Sequence, residues 1–98
     1  MSEIRADELL GLAADAVRDR RGDYGPPGDH FARTIAGINA ILGHKLREPL
    51  TVEDWPVMMI IDKLARSQGP SGGNPDNPVD VAGYAGTWAE VRSCSIGS

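Results

Sequence analysis

Residues 51–66, Thr-Val-Glu-Asp-Trp-Pro-Val-Met-Met-Ile-Ile-Asp-Lys-Leu-Ala-Arg, leave this chain little choice of fold. Wound at 3.6 residues per turn, Val57, Met58, Ile60, Ile61, Leu64 and Ala65 cover one broad arc. A Gly/Pro/Asn/Asp-rich run follows at 69–78, which a helix cannot continue through. The stretch therefore reads as the central helix of a small helical domain, with those six residues expected to hold it together. Four charges, Asp54, Asp62, Lys63 and Arg66, are set among the apolar positions and exceed what packing needs.

The rest of the chain supplies partners for this helix. Leu9, Leu10, Ala13, Ala16 and Val17 recur at spacings of three and four within 3–20, with acids early and Arg18, Arg20 and Arg21 late, as the helix dipole prefers. Gly22 is placed to end that helix, and Gly22-Asp-Tyr-Gly-Pro-Pro-Gly28 reads as a loop. Phe31, Ile35, Ile38 and Leu42 form a stripe on a second helix starting near Asp29 or His30, with Asp29 as its cap. Thr51-x-x-Asp54 is a capping-box variant at the start of the third helix. Asn77-Pro78-Val79-Asp80 starts a fourth, with Asn77 as its N-cap, Pro78 at the first helical position and Asp80 at the third. That helix is expected to run to about Arg92, and Gly83 and Gly86 within it imply close approach of a neighbour. No segment alternates with period two. The expectation is an all-α fold, a compact bundle of about four helices, with 1–92 a single helical domain and 93–98 a flexible tail.

Charge and composition narrow the partners. The 98 residues carry a formal net charge of -4, which speaks against nucleic acid, since that partner favours a basic surface. No apolar run approaches the length of a membrane span, and the N-terminus lacks a basic-then-apolar signal pattern. The single Cys94 forms no intrachain disulfide and suits the cytosol. The chain is expected to be soluble and cytoplasmic. A helical domain this small often shares its core with a second subunit, so self-association as a dimer or larger assembly is expected.

Several residues could carry chemistry. Asp62 and Arg66 are spaced to pair on one helix face. Lys63, flanked by Met59 and Ile60, could reach Asp80 or Asp76 on the neighbouring segment. Tyr84 lies one turn beyond Asp80 on the same face. Asp76, Asp80 and Tyr84 could thus face Lys63 and Arg66 across a groove, offering cations to a phosphate and carboxylates to Mg²⁺. Tyr24, an aromatic residue on a polar loop, packs over a core edge or stacks on a ligand ring. His30 and His44 are too far apart to share a metal and read as surface or capping residues. There is no Walker-type phosphate loop, no Cys/His zinc pattern and no nucleophilic triad motif.

The series Asp23-Tyr24-Gly25, Asp29-His30-Phe31, Thr51-Val52-Glu53-Asp54, Met58-Met59, Lys63-Leu64-Ala65-Arg66 and Val79-Asp80-Val81-Ala82-Gly83-Tyr84-Ala85 resembles a family of small phage and prophage proteins of unknown function. The resemblance covers residues 8–91 and implies phage origin, hence a host-cell cytoplasm, without naming an activity. At the level of fold the chain also resembles the MazG-like all-α nucleoside triphosphate pyrophosphohydrolases, small helical oligomers that hold Mg²⁺ with Glu-x-x-Glu and Glu-x-x-Asp motifs. It lacks the Glu-x-x-Glu motif and offers only Asp54, Asp62, Asp76 and Asp80 as nearby acids.

Together these features lead to a phage-encoded helical protein that binds a nucleotide or related phosphorylated small molecule. Lys63 and Arg66 are the expected phosphate contacts. Tyr24 or Trp55 would stack on a base, with Tyr84 beside the site. Asp54 and Asp80 would orient the cations, and Asp80 with Asp76 would hold Mg²⁺. Mg²⁺-dependent pyrophosphohydrolysis is the enzymatic form of this reading, and whether any reaction is catalysed stays open. The alternative is an accessory protein that binds and inhibits a host protein through a helical face, without small-molecule chemistry.

Overall fold

A computed structural model of the chain describes residues 3–69 and 72–97, with side chains through Ser93. Residues 70 and 71 of the connector, the side chain of Cys94 and residue 98 lie outside the described residues. Four helices follow in order: α1 (Ala6–Tyr24), α2 (Pro27–Leu42), α3 (Asp54–Arg66) and α4 (Asn77–Gly97), with a 3₁₀ turn at Gly43–Lys45. Among the described residues there is no strand. None of these helices is long and apolar enough to cross a membrane. The α4 helix is the hub: α3 and α1 both pack along it, while α2 sits more lightly against the others.

Local chemistry explains the helix ends, and several differ from expectation. Gly22 does not stop α1, which continues to Tyr24. Gly25, at φ 78°, takes over as the terminator, and its N–H donates to the Arg21 carbonyl. A glycine is needed where the backbone turns left-handed, and Gly25, not Gly22, is that residue. The Pro26-Pro27 pair opens α2 instead of sitting in a loop. Pro27 occupies the first turn, where its missing N–H has no intrahelical partner to lose, and Asp29 becomes a first-turn acid, not the cap. The α4 helix continues through Gly97, past the end expected near Arg92.

The start of α3 keeps the expected reciprocity in half. The Asp54 carboxylate accepts the Thr51 backbone N–H at 2.7 Å and the Thr51 hydroxyl at 3.3 Å. Pro56 falls in the first turn, where proline is tolerated, and is fully buried. Ahead of α3, the Asn39 side chain clamps Leu50 by donating to its carbonyl and accepting its N–H, both at 2.9 Å.

The face that α3 turns to α4 is more polar than its hydrophobic arc implies. Glu53, just before α3, accepts the Trp88 indole N–H at 3.0 Å and the Arg92 Nε–H at 2.7 Å. One helical stretch further on, Lys63 Nζ lies 3.1 Å from Asp80 Oδ2. Just past α3, the Ser67 hydroxyl accepts the Asn77 amide at 3.1 Å. Spacings of three, seven and four put Glu53, Pro56, Lys63 and Ser67 on one side of the helix. These ties rotate α3 so that Ile61 and Leu64, expected in the core, are 59% and 53% exposed, and Ala65 is exposed beside them. Leu10 of α1 and Leu42 of α2 likewise sit outside the core expected for them. Among the described residues the buried apolar side chains are Ala13, Phe31, Ile35 and Val91, with the prolines Pro27 and Pro56 buried as well. Gly83 meets its expectation, since a Cβ there would lie 3.7 Å from Val17, at the contact of α1 with α4, whereas Gly86 does not, with nothing within 4 Å of an added Cβ.

The Glu53 clamp makes a pH prediction. The hydrogen bonds from Arg92 and then Trp88 favour the ionised carboxylate and hold Glu53 below its ordinary value of 4.5. A carboxyl lowered on folding contributes stability in full above its unfolded value and loses it as the pH falls through the folded one. Thermal midpoints measured downward from neutral pH should therefore fall more steeply below about 4.5 for the wild type than for Glu53→Gln. Parallel acid limbs for the two proteins would remove this role from Glu53.

Candidate functional site

The C-terminal half of α1, the α1–α2 turn and the first turns of α4 enclose a cleft of about 480 Å³. Ala16, Val17, Phe31, Val79 and Gly83 contribute apolar lining, and Arg20, Arg21, Asp23, His30, Asp80 and Tyr84 contribute polar groups. Its volume lies within the span of small-molecule sites, which combine an apolar body with a few polar groups.

The two arginines differ in state. Arg21 is engaged by the Glu90 carboxylate of α4. Arg20 takes part in no ion pair among the described residues. Its Nη1 donates to the Tyr84 hydroxyl at 3.1 Å, and its guanidinium carbon sits 5.6 Å from the centre of the Tyr84 ring. Because the Tyr84 oxygen accepts from Arg20, its own O–H proton stays free to donate to something in the cleft. Across from them, Tyr24 stacks on His30 with ring centres 5.7 Å apart, and His30 in turn tilts against Phe31 at 5.9 Å. Tyr24 ends α1 and is 60% exposed, so its ring has an open face. Phe31 is buried and anchors the floor.

Of the residues expected from the sequence, Tyr24, Asp80 and Tyr84 line this cleft. Lys63 reaches it only through Asp80, and that pair is half-buried. The others lie elsewhere. Arg66 pairs with Asp62 at 2.9 Å on an exposed face, Asp54 serves the start of α3, and Trp55 sits beside it. Asp76 is exposed in the connector before α4, where its backbone N–H donates to the Asn74 side chain. The cleft therefore includes neither Lys63 nor Arg66 among its lining residues.

A Mg²⁺ site on Asp76 and Asp80 does not fit this geometry. The Asp80 carboxylate is taken by Lys63, and Asp76 is not among the residues lining the cleft. Among the described residues, no three His, Cys, Asp or Glu side chains come together as a metal site.

Sequence reasoning missed Arg20, Arg21 and His30. The arginines were accounted for by the helix dipole, and His30 by its place at a helix end. The available signal was the arrangement of an Arg-Arg doublet four residues before an aromatic residue, on a turn closed by Pro-Pro and followed by His-Phe.

The fold and this cleft define a small all-α protein built along one long helix, with an aromatic-edged, arginine-bearing hollow beside it. The chain belongs to the family described as domain of unknown function DUF6378, which it matches over residues 8–92. It is also similar to the Gene 55 protein of Mycobacterium phage L5, at 33% identity over 85 residues. That match takes in 86% of this chain and 52% of the relative, so the chain spans about half the length of the curated relative it matches. This is a phage-associated protein family of unknown function. No solved structure matches the chain, and the MazG-like resemblance gains nothing from these comparisons.

Proposed function

We propose that the cleft binds a nucleotide or a related phosphorylated small molecule. The observation that carries this reading is Arg20, a guanidinium at the wall of an apolar cleft with a tyrosine hydroxyl, not a carboxylate, as its partner. Such a group is available to an anionic ligand at little cost, because no ion pair has to break. Tyr84 adds a hydroxyl donor beside it, and Arg21 adds positive charge at the same wall. The open face of Tyr24, stiffened by stacking on His30, suits a planar ring. Asp23 offers an acceptor at the mouth for the hydroxyl or amino groups of such a ligand. Lys63 neutralises Asp80 from behind and so keeps that carboxylate from repelling a phosphate. The reading is one of binding. It contains no hydrolytic step, since no three His, Cys, Asp or Glu side chains converge among the described residues.

A thermal-shift panel of nucleoside mono-, di- and triphosphates tests it. At least one member should raise the midpoint of the wild type. A charge-assisted hydrogen bond contributes about 1.5–3 kcal/mol, so Arg20→Ala should weaken that ligand by roughly ten- to a hundredfold. Arg66→Ala, outside the cleft, should leave binding unchanged. A panel in which no phosphorylated compound shifts the wild type removes the proposal.

A further inference from the structure

The charges around the cleft limit what it can hold. Arg20, Arg21, Asp23 and Asp80 line it, while Glu90 and Lys63 engage Arg21 and Asp80 from outside the lining. The cations and carboxylates of this set cancel, so no general positive field draws a highly charged anion into the cleft. What the cleft offers is one guanidinium, that of Arg20, with a hydroxyl and no carboxylate as its partner among the described residues.

Position matters as much as charge. Arg20 and Tyr24 stand one turn apart near the end of α1, about 6 Å along the helix axis, a spacing that one pentose bridges. A ligand with its ring on Tyr24 and its first phosphate on Arg20 sends any further phosphate back along α1. There the wall is Ala16 and Val17, with Gly83 of α4 against Val17. Asp80 precedes Gly83 by less than one turn, so the polar group at that wall is a carboxylate, and Lys63 is already 3.1 Å from it. The other direction leads to Arg21, whose guanidinium is engaged by Glu90. Were Arg21 to turn to a second phosphate, the Glu90 carboxylate would be left beside it with the same sign of charge as the ligand.

On the premise that the cleft receives a phosphorylated ligand, we propose that this ligand carries a single phosphate, as a nucleoside monophosphate does, and that Glu90 sets the limit by holding Arg21. Glu90 lies outside the cleft lining and acts only through the Arg21 guanidinium, which makes it a positioning residue. Both side chains of that pair are partly exposed, and an ion pair so open adds little to folding. Replacing Glu90 is therefore a mild change to the fold and a direct change to the availability of Arg21.

The test is isothermal titration of the full chain, in buffer with EDTA, with the 5′-mono-, di- and triphosphates of adenosine, guanosine, cytidine and thymidine and with the parent nucleosides. For at least one base the monophosphate should bind tightest of its series. The nucleoside, which lacks the Arg20 contact, should bind roughly ten- to a hundredfold more weakly. The triphosphate should bind at least about tenfold more weakly, since its added charges meet carboxylates. Glu90→Gln should tighten the diphosphate by roughly tenfold relative to the monophosphate, the low end of what one charge-assisted hydrogen bond contributes. A di- or triphosphate that binds the wild type as tightly as its monophosphate overturns the single-phosphate limit, while leaving the cleft a site for phosphorylated ligands. A ratio of mono- to diphosphate affinity that is the same in Glu90→Gln overturns the role of Glu90. If no phosphorylated compound binds, the cleft is not a phosphate site and the limit falls with it.

Discussion

Phe31→Ala should cost about 3–5 kcal/mol of folding stability, the range for removing a buried phenylalanine. Phe31 is the chain's single phenylalanine and is only 5% exposed. With Ala13, Ile35 and Val91 it makes up most of the buried apolar core, so little neighbouring mass is available to collapse into the gap. The loss would consume much of the stability of a domain in the usual range of about 5–15 kcal/mol. Urea unfolding should show the transition moving to lower denaturant with the slope unchanged. Phe31→Leu, which keeps most of the volume, should cost distinctly less. The same ring supports His30 and through it Tyr24, so the Ala variant should also lose ligand under conditions where it remains folded. A loss below about 1.5 kcal/mol would mean that α2 is held by something other than this ring.

Gly73→Ala should be the next most damaging single change. Gly73 has φ 78°, in the left-handed region, where a side chain costs roughly 1–2 kcal/mol. A Cβ there would also lie 2.7 Å from the Arg66 carbonyl oxygen and 2.8 Å from the Asn77 amide nitrogen. The first obstacle is the end of α3, and the second is a side chain only 3% exposed that ties α4 to Ser67. Neither is the free end of a flexible chain, so one of the two helix ends must shift. A total of about 2–4 kcal/mol is expected. Gly72 provides the control. It has φ 79° but nothing within 4 Å of an added Cβ, so Gly72→Ala should show the backbone cost alone. Equal losses at 72 and 73 would mean that the contact with Arg66 and Asn77 contributes nothing.

The helices are legible in the sequence because periodicity and breakers report on local structure. Four helices are where the patterns place them, and the close approach at Gly83 is met. The α4 helix begins at Asn77 itself, one position before the start expected at Pro78, with the Asn77 amide donating to Ser67 instead of capping. The errors arise where the outcome depends on tertiary contacts. Gly22 and Gly25 are equally able to end a helix, and only the path of the turn into Pro26 selects the second. The apolar arc of 54–66 gives the extent of its hydrophobic surface but not which part meets α4. Polar ties at Glu53, Lys63 and Ser67 decide that, and they leave Ile61 and Leu64 outside. The pairing of Lys63 with Asp80 could be anticipated, since each had few other partners in reach. The Arg20-Arg21 doublet ahead of Tyr24 is a local signal, but Arg20's partner Tyr84 lies sixty-four residues away, and only the α1–α4 crossing brings them together.

The central claim is that this cleft, and not the exposed face bearing Arg66, receives a phosphorylated ligand. The most direct measurement is an amide NMR titration of the full chain with the nucleotide that gives the largest thermal shift. Saturable shifts concentrated at Arg20, Tyr24, Gly25, His30, Gly83 and Tyr84 are expected, and their loss in Arg20→Ala. Shifts clustered around Asp62 and Arg66, or no saturable shifts at all, would contradict it.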